Sequence, residues 1–272
     1  MLDVPSGKGF LEIQGAPLYY EAAGQGYPLL LLHAGVADSR MWNEQVAVFS
    51  RYYTTIRYDL RGFGRSVFPQ GPFAHHDDPA ALLSSLNVSK AHVIGISFGG
   101  KVALDFTLAH PELVASLILI APSVGGHNQP PEVLHLNEQE EALLERGDLE
   151  GATELNLRLW VDGPKRTPEQ VDPVVRQRIH DMQYHALAIP QPTEAEEIAL
   201  RPPAIERLSE VHVPTLIIVG DYDILDKQAL AEQLTTEIPM AKIVRIPQVA
   251  HMLTMEKPEE FNDIVLEFLR KQ

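Results

Sequence analysis

The chain has 272 residues, of which 45% are hydrophobic, and its 22 basic and 37 acidic side chains give a formal net charge of −15. This negative balance argues against a surface that binds nucleic acid or an anionic membrane. The absence of cysteine excludes disulfides, thiolate catalysis and cysteine-ligated metals. The length suits one large α/β domain, or a core with a lid.

The N-terminal residues Met1–Pro5 lack the basic region followed by an apolar run that marks a signal peptide. No apolar run in the chain approaches the ~20 residues that a membrane-spanning helix needs. We therefore expect a soluble cytoplasmic protein with no membrane partner.

The first predicted elements are strands. Two short β-like runs, Phe10–Gln14 and Leu18–Ala22, are joined by turn residues and predict an opening hairpin. Four consecutive leucines, Leu29–Leu32, indicate a strand that is buried on both faces, as in a parallel sheet. Tyr53–Tyr58 is the next strand candidate.

The segment Asp59–Ser66 is rich in glycine and follows the fourth predicted strand. We expect Asp59 and Arg61 to bind the local backbone or each other, rather than to act directly in chemistry. Asp77 and Asp78 then precede a proline, which is typical of a helix N-terminus. A metal site at these two carboxylates is the alternative interpretation.

The pattern Gly-x-Ser-x-Gly occurs at residues 95–99, between a strand-like run rich in Val and Ile and a helix-like run from Phe98 towards His110. A sharp strand-to-helix turn would hold Ser97 with its Oγ exposed. Glycines on both sides are expected because a side chain there would collide with the neighbouring strand or helix. The helix N-terminus would direct free N–H groups at the serine.

The strand–helix alternation stops after the strand predicted at Val114–Ile120. Three helical patterns follow in a region with several Pro and Gly residues: Asn137–Arg146, Asp148–Trp160 and Gln170–Leu187. An excursion of ~85 residues is too long for an ordinary loop of a compact sheet. We therefore predict a helical lid at 124–209, inserted after the sixth strand into a core formed by 1–123 and 210–272.

Alternation resumes with strands at Pro214–Val219 and Ala241–Ile246 and an amphipathic closing helix at Pro258–Arg270. Strands that alternate with helices predict an α/β fold whose central sheet is mostly parallel and has helices on both faces.

The motifs together resemble those of the α/β-hydrolase superfamily. They are His33-Ala34-Gly35, Asp59–Ser66, Gly95–Gly100, Gly220–Asp223, and Ala250-His251 before Glu256-x-Pro258-Glu259. The resemblance runs from about Phe10 to Leu269, with the lid matched poorly. Within the superfamily, the chain is most similar to a branch of lid-bearing serine hydrolases that includes bacterial carboxylesterases and 3-oxoadipate enol-lactonases. Serine at position 97 argues against the branches with an aspartate nucleophile.

A serine hydroxyl needs a base, and a histidine serves when a buried carboxylate orients it. The resemblance implies the chain order serine, acid, histidine, which predicts Ser97, Asp223 and His251 as a catalytic triad. Each follows a predicted strand, so all three should meet at one edge of the sheet. The family pattern Gly-x-x-Asp selects Asp223, and Asp221 in the same turn is the alternative acid.

The resemblance also implies an oxyanion hole made by the backbone N–H groups of Phe98 and Gly35. The usual His-Gly pair of this loop is His33-Ala34 here, and Gly35 occupies the next place. Gly35 could instead merely permit a turn. We expect His33 to have a structural hydrogen-bonding role.

These residues predict a serine hydrolase that cleaves carboxylic esters through an acyl-enzyme, without a metal or other cofactor. Hydrolysis of enol-lactones or other lactones, or perhydrolase activity, are alternatives with the same triad. A slow-turnover receptor of the same fold is the alternative without enzyme activity. We expect Trp160 to form an apolar wall of the substrate pocket, or else simply to hold the lid on the core. The expected partner is a small ester or lactone, and the oligomeric state stays open.

Overall fold

The computed structural model describes residues 6–272, so Met1–Pro5, on which the signal-peptide prediction rests, lie outside the described residues. Within residues 6–272, every helix is too short or too polar to cross a lipid bilayer.

Ten strands are formed in this part of the chain: β1 (Gly7–Ile13), β2 (Ala16–Ala23), β3 (Tyr27–Leu32), β4 (Tyr53–Tyr58), β5 (Pro72–Phe73), β6 (Ala91–Ile96), β7 (Val114–Ile120), β8 (Glu196–Glu197), β9 (Thr215–Gly220) and β10 (Ala241–Ile246). Eight of them form the central sheet in the order β1-β2-β4-β3-β6-β7-β9-β10. The strands from β4 to β10 in this order pair in parallel, and β2 pairs antiparallel with both β1 and β4. The predicted mostly parallel sheet is confirmed.

The leucine run of β3 contributes to two separate hydrophobic clusters. Leu30 and Leu32 pack in one cluster, and Leu29 and Leu31 pack in the other. Successive side chains of a strand point to opposite faces of the sheet, so the two clusters are the two sides of the sheet. All four leucines are fully buried, as expected for a central parallel strand.

Helices cover both faces, as predicted. Helices α2 (Asp77–Ser85), α3 (Phe98–Ala109) and α7 (Leu225–Glu237) contribute buried side chains to the first cluster. Helices α1 (Asn43–Phe49), α8 (Leu253–Glu256) and α9 (Pro258–Leu269) contribute to the second.

The region between β7 and β9 is mainly helical. It contains α4 (Pro131–Glu145), α5 (Leu149–Leu157), a π-helical turn (Arg158–Asp162) and α6 (Pro173–Leu187). The first predicted helix in fact begins earlier, after Pro130, and the third begins later, because Asp172 caps it through the N–H groups of Val174 and Val175. The second changes from α- to π-helical geometry at Arg158.

A two-stranded ladder joins this helical region to the core, since β8 pairs in parallel with β5. Sequence patterns did not predict it, because two-residue strands have no periodicity to detect. Lys101 of α3 reinforces the junction with its Nζ 2.9 Å from a carboxylate oxygen of Glu197 in β8.

One of our expectations was that Arg61 and Asp59 bind each other. The structure instead pairs Arg61 with Asp78. Arg61 binds both carboxylate oxygens of Asp78 at 2.8 Å, and both side chains are fully buried. Gln14 donates a further hydrogen bond to Asp78 at 2.8 Å. Helix α2 does begin at Asp77, as the sequence predicted, and Asp78 in its first turn is the partner of the buried Arg61 cation. Asp59 does bind local backbone, accepting a hydrogen bond from the Arg65 N–H at 2.9 Å, and it accepts a second from the more distant Ser39 N–H at 2.9 Å.

Candidate active site

Ser97 lies in the turn between β6 and α3 with φ 54° and ψ −117°. A non-glycine residue in this region is strained, and such strain persists only where the surroundings enforce it. Backbone hydrogen bonds hold the turn: the Ser97 N–H donates to the Ile120 carbonyl at 2.9 Å, and the Ser97 carbonyl accepts from the N–H of Ser123 at 3.0 Å. The conformation is the sharp strand-to-helix turn that the Gly-x-Ser-x-Gly pattern predicts.

The flanking glycines are required by close backbone approach. A Cβ atom at Gly95 would overlap the carbonyl oxygen of Gly99, and one at Gly99 would overlap the carbonyl oxygen of His33. The helix that follows Ser97 is thus packed directly against the strands below it. This contact sets the direction of the α3 N-terminus relative to the serine.

Asp223 follows β9 and His251 follows β10, and the structure brings their side chains together. The His251 Nδ1 lies 2.7 Å from the Asp223 Oδ2, and each side chain is only 1% exposed. The other oxygen of Asp223 accepts a hydrogen bond from the Ile224 N–H at 2.8 Å. An ionised Asp223 therefore keeps the proton of a neutral imidazole on Nδ1, which leaves Nε2 as a proton acceptor.

The Nε2 atom of His251 is buried and has no hydrogen-bond partner among residues 6–272, so a hydrogen bond to Ser97 is not formed in this structure. Catalytic hydrogen bonds are often long in ligand-free sites and tighten when substrate binds. The imidazole also meets Trp160 of the π-helical turn, with ring centroids 4.8 Å apart at 45°. The structure thus places Trp160 directly beside the histidine.

Gly35 and Phe98, the two predicted oxyanion donors, are neighbours in space. A Cβ atom on Gly35 would lie 3.3 Å from the Cβ of Phe98. Phe98 is the first residue of α3, where backbone N–H groups lack intrahelical partners. Gly35 lies after β3, which pairs with β6, the strand that precedes Ser97.

His33 is enclosed by backbone rather than directed at a reacting atom. Its Nε2 accepts a hydrogen bond from the Leu60 N–H at 2.8 Å, which requires that Nδ1 donates to the Ala34 carbonyl at 2.8 Å. Complete burial lowers the pKa of His33 and favours this neutral form.

The alternative acid, Asp221, lies elsewhere in the same turn. Its Oδ1 accepts a hydrogen bond from the backbone N–H of Gln248, and its N–H donates to the Ile246 carbonyl at 3.1 Å. Asp221 therefore braces the loop that carries His251, while Asp223 contacts the imidazole.

Two residues near the site had no signal in the sequence. Arg166 forms a buried ion pair with Glu256, 90 residues further along the chain. Lys227, in the first turn of α7, is buried and donates to the Pro122 carbonyl and to the Ser123 Oγ, both at 3.1 Å. Both side chains find their partners through the tertiary fold, and neither belongs to a local motif.

Known proteins with similar sequences are named as hydrolases. RutD of Azorhizobium caulinodans, which bears the provisional name carbamate hydrolase, is 29% identical over 93% of this chain and 95% of its own length. Carboxylesterase YbfK of Bacillus subtilis is 25% identical over 89% of this chain and 79% of its own. Among solved structures, Est816, described as an N-acyl homoserine lactone degrading enzyme, is 27% identical with a TM-score of 0.76, covering 96% of this chain and all of its own.

The match to YbfK confirms the predicted resemblance to bacterial carboxylesterases, and the matches together agree with the prediction of a hydrolytic enzyme. The profile of the alpha/beta hydrolase fold family matches residues 27–258, from β3 to the start of α9, and so includes every residue of the candidate site. The chain is therefore a hydrolase that belongs to the alpha/beta hydrolase fold family.

Proposed function

We propose that the chain hydrolyses carboxylic esters through Ser97, His251 and Asp223. The buried 2.7 Å contact between the His251 Nδ1 and Asp223 carries the proposal, because it leaves Nε2 as the proton acceptor. The strained backbone of Ser97 and the α3 N-terminus beside it give further support. The names of the similar proteins point to the same class of reaction.

In the acylation step, the Ser97 Oγ attacks the ester carbonyl carbon while the Nε2 of His251 takes its proton. The N–H groups of Phe98 and Gly35 hold the tetrahedral oxyanion, and one such donor is typically worth ~3 kcal/mol. The imidazolium then protonates the leaving alcohol, and an acyl-serine ester remains.

In the deacylation step, His251 takes a proton from water, which attacks the acyl carbon. Collapse of the second tetrahedral intermediate releases the carboxylic acid and returns the proton to Ser97. Asp223 keeps its charge throughout and stabilises the imidazolium. Residues 124–209 act as the lid over this chemistry, with Trp160 as an apolar wall.

Lactone hydrolysis is the second candidate, since a lactone is an internal ester and meets the same nucleophile. The similarity to Est816 favours it over the perhydrolase and receptor alternatives. Carbamates should be tested beside esters and lactones, because the similar protein RutD is named as a carbamate hydrolase.

The test is a panel of p-nitrophenyl esters of increasing acyl length, enol- and homoserine lactones and simple carbamates, assayed with the wild type and Ser97→Ala. We expect rapid turnover of one class and a loss of at least about 10³-fold in Ser97→Ala. Ser85→Ala, which removes an exposed hydroxyl from α2, is the matched control and should keep full activity.

Retention of more than a few per cent of activity in Ser97→Ala would refute the nucleophile. Tight ester binding with almost no turnover by the wild type would favour the receptor alternative. Peracid formation from a carboxylic acid and hydrogen peroxide that outpaces ester cleavage would favour the perhydrolase.

A further inference from the structure

The segment 158–166, which carries Trp160, lies against both loops that supply the acid and the base. Gly163 makes the closest approach: with φ 72°, a Cβ atom there would lie 2.8 Å from the Cβ of Ala250 and 3.0 Å from the carbonyl oxygen of Tyr222. Lys165 donates a hydrogen bond to the Asp221 carbonyl at 2.7 Å. These contacts fix the position of the segment relative to the loops that carry Asp223 and His251.

Arg166 binds the end of the π-helical turn. Its Nε donates to the Asp162 carbonyl at 3.0 Å, and its Nη2 donates to the Val161 carbonyl at 2.7 Å. These carbonyls belong to the last residues of the turn, where a helix leaves its acceptors without intrahelical partners. One guanidinium thus terminates the turn that presents Trp160.

The same guanidinium joins the turn to the core. Its Nη1 and Nη2 lie 2.5 and 3.0 Å from the two carboxylate oxygens of Glu256, and the side chains are only 8% and 9% exposed. Bidentate arginine–carboxylate pairs fix geometry as well as distance. Glu256 lies in α8, five residues after His251. The ion pair therefore fixes the position of the π-helical turn relative to the loop that carries the proposed base.

The side chain of Asp162 is held independently. It is fully buried and binds Arg158 of the turn at 2.6 Å and Arg176 of α6 at 3.0 Å. The turn is therefore fixed at its C-terminal end by Arg166 and on its α6 side by Asp162. Trp160 lies between these contacts.

Trp160 lies beside the imidazole that the alcohol group of an ester must also approach. In the proposed mechanism, the Nε2 of His251 must reach the leaving oxygen to protonate it, so the group attached to that oxygen lies beside the imidazole. The indole of Trp160 occupies space next to the same imidazole, at 4.8 Å between centroids.

We propose that Arg166, through its ion pair with Glu256, is a positioning residue that holds Trp160 beside His251 and thereby limits the size of the alcohol group that the site accepts. The inference about specificity rests on the proposed ester hydrolysis. The inference about Trp160 placement rests on the contacts of segment 158–166 alone.

The activity test measures kcat and KM separately for a series of acetates whose alcohol grows from methyl to butyl to benzyl. In Arg166→Met we expect kcat/KM for benzyl acetate to rise relative to methyl acetate by about fivefold or more, with the change mainly in KM. Glu256→Gln removes the charge with little change of shape and should act in the same direction.

The control is a second ion pair that joins the helical region to the core. Arg178 of α6 binds Glu44 of α1 through both carboxylate oxygens, at 2.7 and 3.2 Å, and neither residue belongs to the π-helical turn. Arg178→Met should leave the alcohol preference unchanged. A shift as large as that in Arg166→Met would mean that any loosening of the helical region has this effect, and would overturn the proposal.

A second readout does not require turnover. The Trp160 indole is partly buried against the His251 imidazole, so acrylamide should quench only weakly the fluorescence that the wild type has and Trp160→Phe lacks. In Arg166→Met and Glu256→Gln this quenching should increase by about half or more. Unchanged quenching in both variants would overturn the placement. If the wild type cleaves no ester but the quenching behaves as expected, the proposed function fails and the positioning role stands.

Discussion

The His251 Nδ1 and the Asp223 Oδ2 lie 2.7 Å apart in a site where neither side chain is more than 1% exposed. At this burial, water cannot substitute for the carboxylate. Asp223→Asn should therefore lower kcat/KM by about 10³- to 10⁴-fold, since an amide that donates to Nδ1 forces the proton onto Nε2, the wrong tautomer for a base. The measurement is ester hydrolysis at neutral pH.

The control for this prediction is Asp221→Asn in the same turn. Asp221 bonds the backbone of Gln248 rather than the imidazole, so its amide variant should stay within about tenfold of the wild type. Equal losses in the two variants would contradict the assignment of Asp223.

The glycines of the nucleophile turn should be essential for stability as well as for activity. A Cβ at Gly95 or Gly99 would overlap backbone oxygens that cannot move independently. Either alanine variant should lower the free energy of unfolding by about 2 kcal/mol or more, as overpacking does. Gly9→Ala in β1, where the nearest atom is 4.0 Å away on Tyr20, is the matched control. Urea titration measures the difference, and an unchanged midpoint in Gly95→Ala would refute the steric argument.

His75 should make the fold sensitive to acid. Burial between Phe73 and Phe98 lowers the pKa of His75 to about 4. Because the folded state resists protonation, the unfolded chain binds more protons between about pH 6.5 and 4, and stability falls as pH falls through this window. Between pH 7 and 5 this amounts to at most about 2 kcal/mol.

His75→Leu should remove that part of the acid sensitivity. The measurement is the free energy of unfolding in urea at pH 7 and pH 5. Burial lowers the pKa of His92 to about 4 as well, but His92 is present in both proteins, so the difference isolates His75. The exposed His135 provides a control, since His135→Gln should leave the pH dependence as it is. An identical pH dependence in wild type and His75→Leu would contradict the prediction.

Lys227 should influence how the stability of the fold depends on pH. Burial lowers the pKa of Lys227 from its ordinary value of 10.5, and the carboxylates of Asp223 and Asp226 oppose this effect. The folded state therefore holds the Lys227 proton less tightly than the unfolded chain, so this group makes the free energy of unfolding rise as pH rises towards 10.5. Lys227→Met should remove this part of the pH dependence, measured by urea titration at several pH values.

Ser123→Ala separates the charge of Lys227 from its hydrogen bond. This variant removes the Oγ acceptor 3.1 Å from the Lys227 Nζ but keeps the cation. The pH dependence of its free energy of unfolding should coincide with that of the wild type. A pH dependence for Lys227→Met that also coincides with the wild type would show that the buried amine exerts no such influence.

The elements of the sheet were predictable because their signals are local. Four leucines between turn residues indicate a strand buried on both faces, and Leu29 and Leu30 do pack on opposite sides of the sheet. The turn at Ser97 was predictable for the same reason, since close packing at Gly95 and Gly99 excludes other residue types. The convergence of Asp223 and His251 required the family resemblance as well.

The ion pairs were not predictable, because their partners meet only after folding. Arg61 could equally have met Asp59, two residues away, and nothing in the chain points to Asp78. The π-helical turn was not predictable either. Residues 148–160 have a continuous helical pattern, and that pattern does not change at Arg158, where the geometry changes from α- to π-helical. The contacts of Arg166 with Val161, Asp162 and Glu256 are likewise tertiary.

The order of the strands along the polypeptide has a consequence for how the protein is made. Ser97 follows β6, whereas Asp223 and His251 follow β9 and β10, which lie together at one border of the sheet. A chain that has folded only as far as β7 has the serine turn but not yet the two strands that supply the proposed acid and base. Under the proposed mechanism, reactivity towards cellular esters therefore begins only when the last two strands dock.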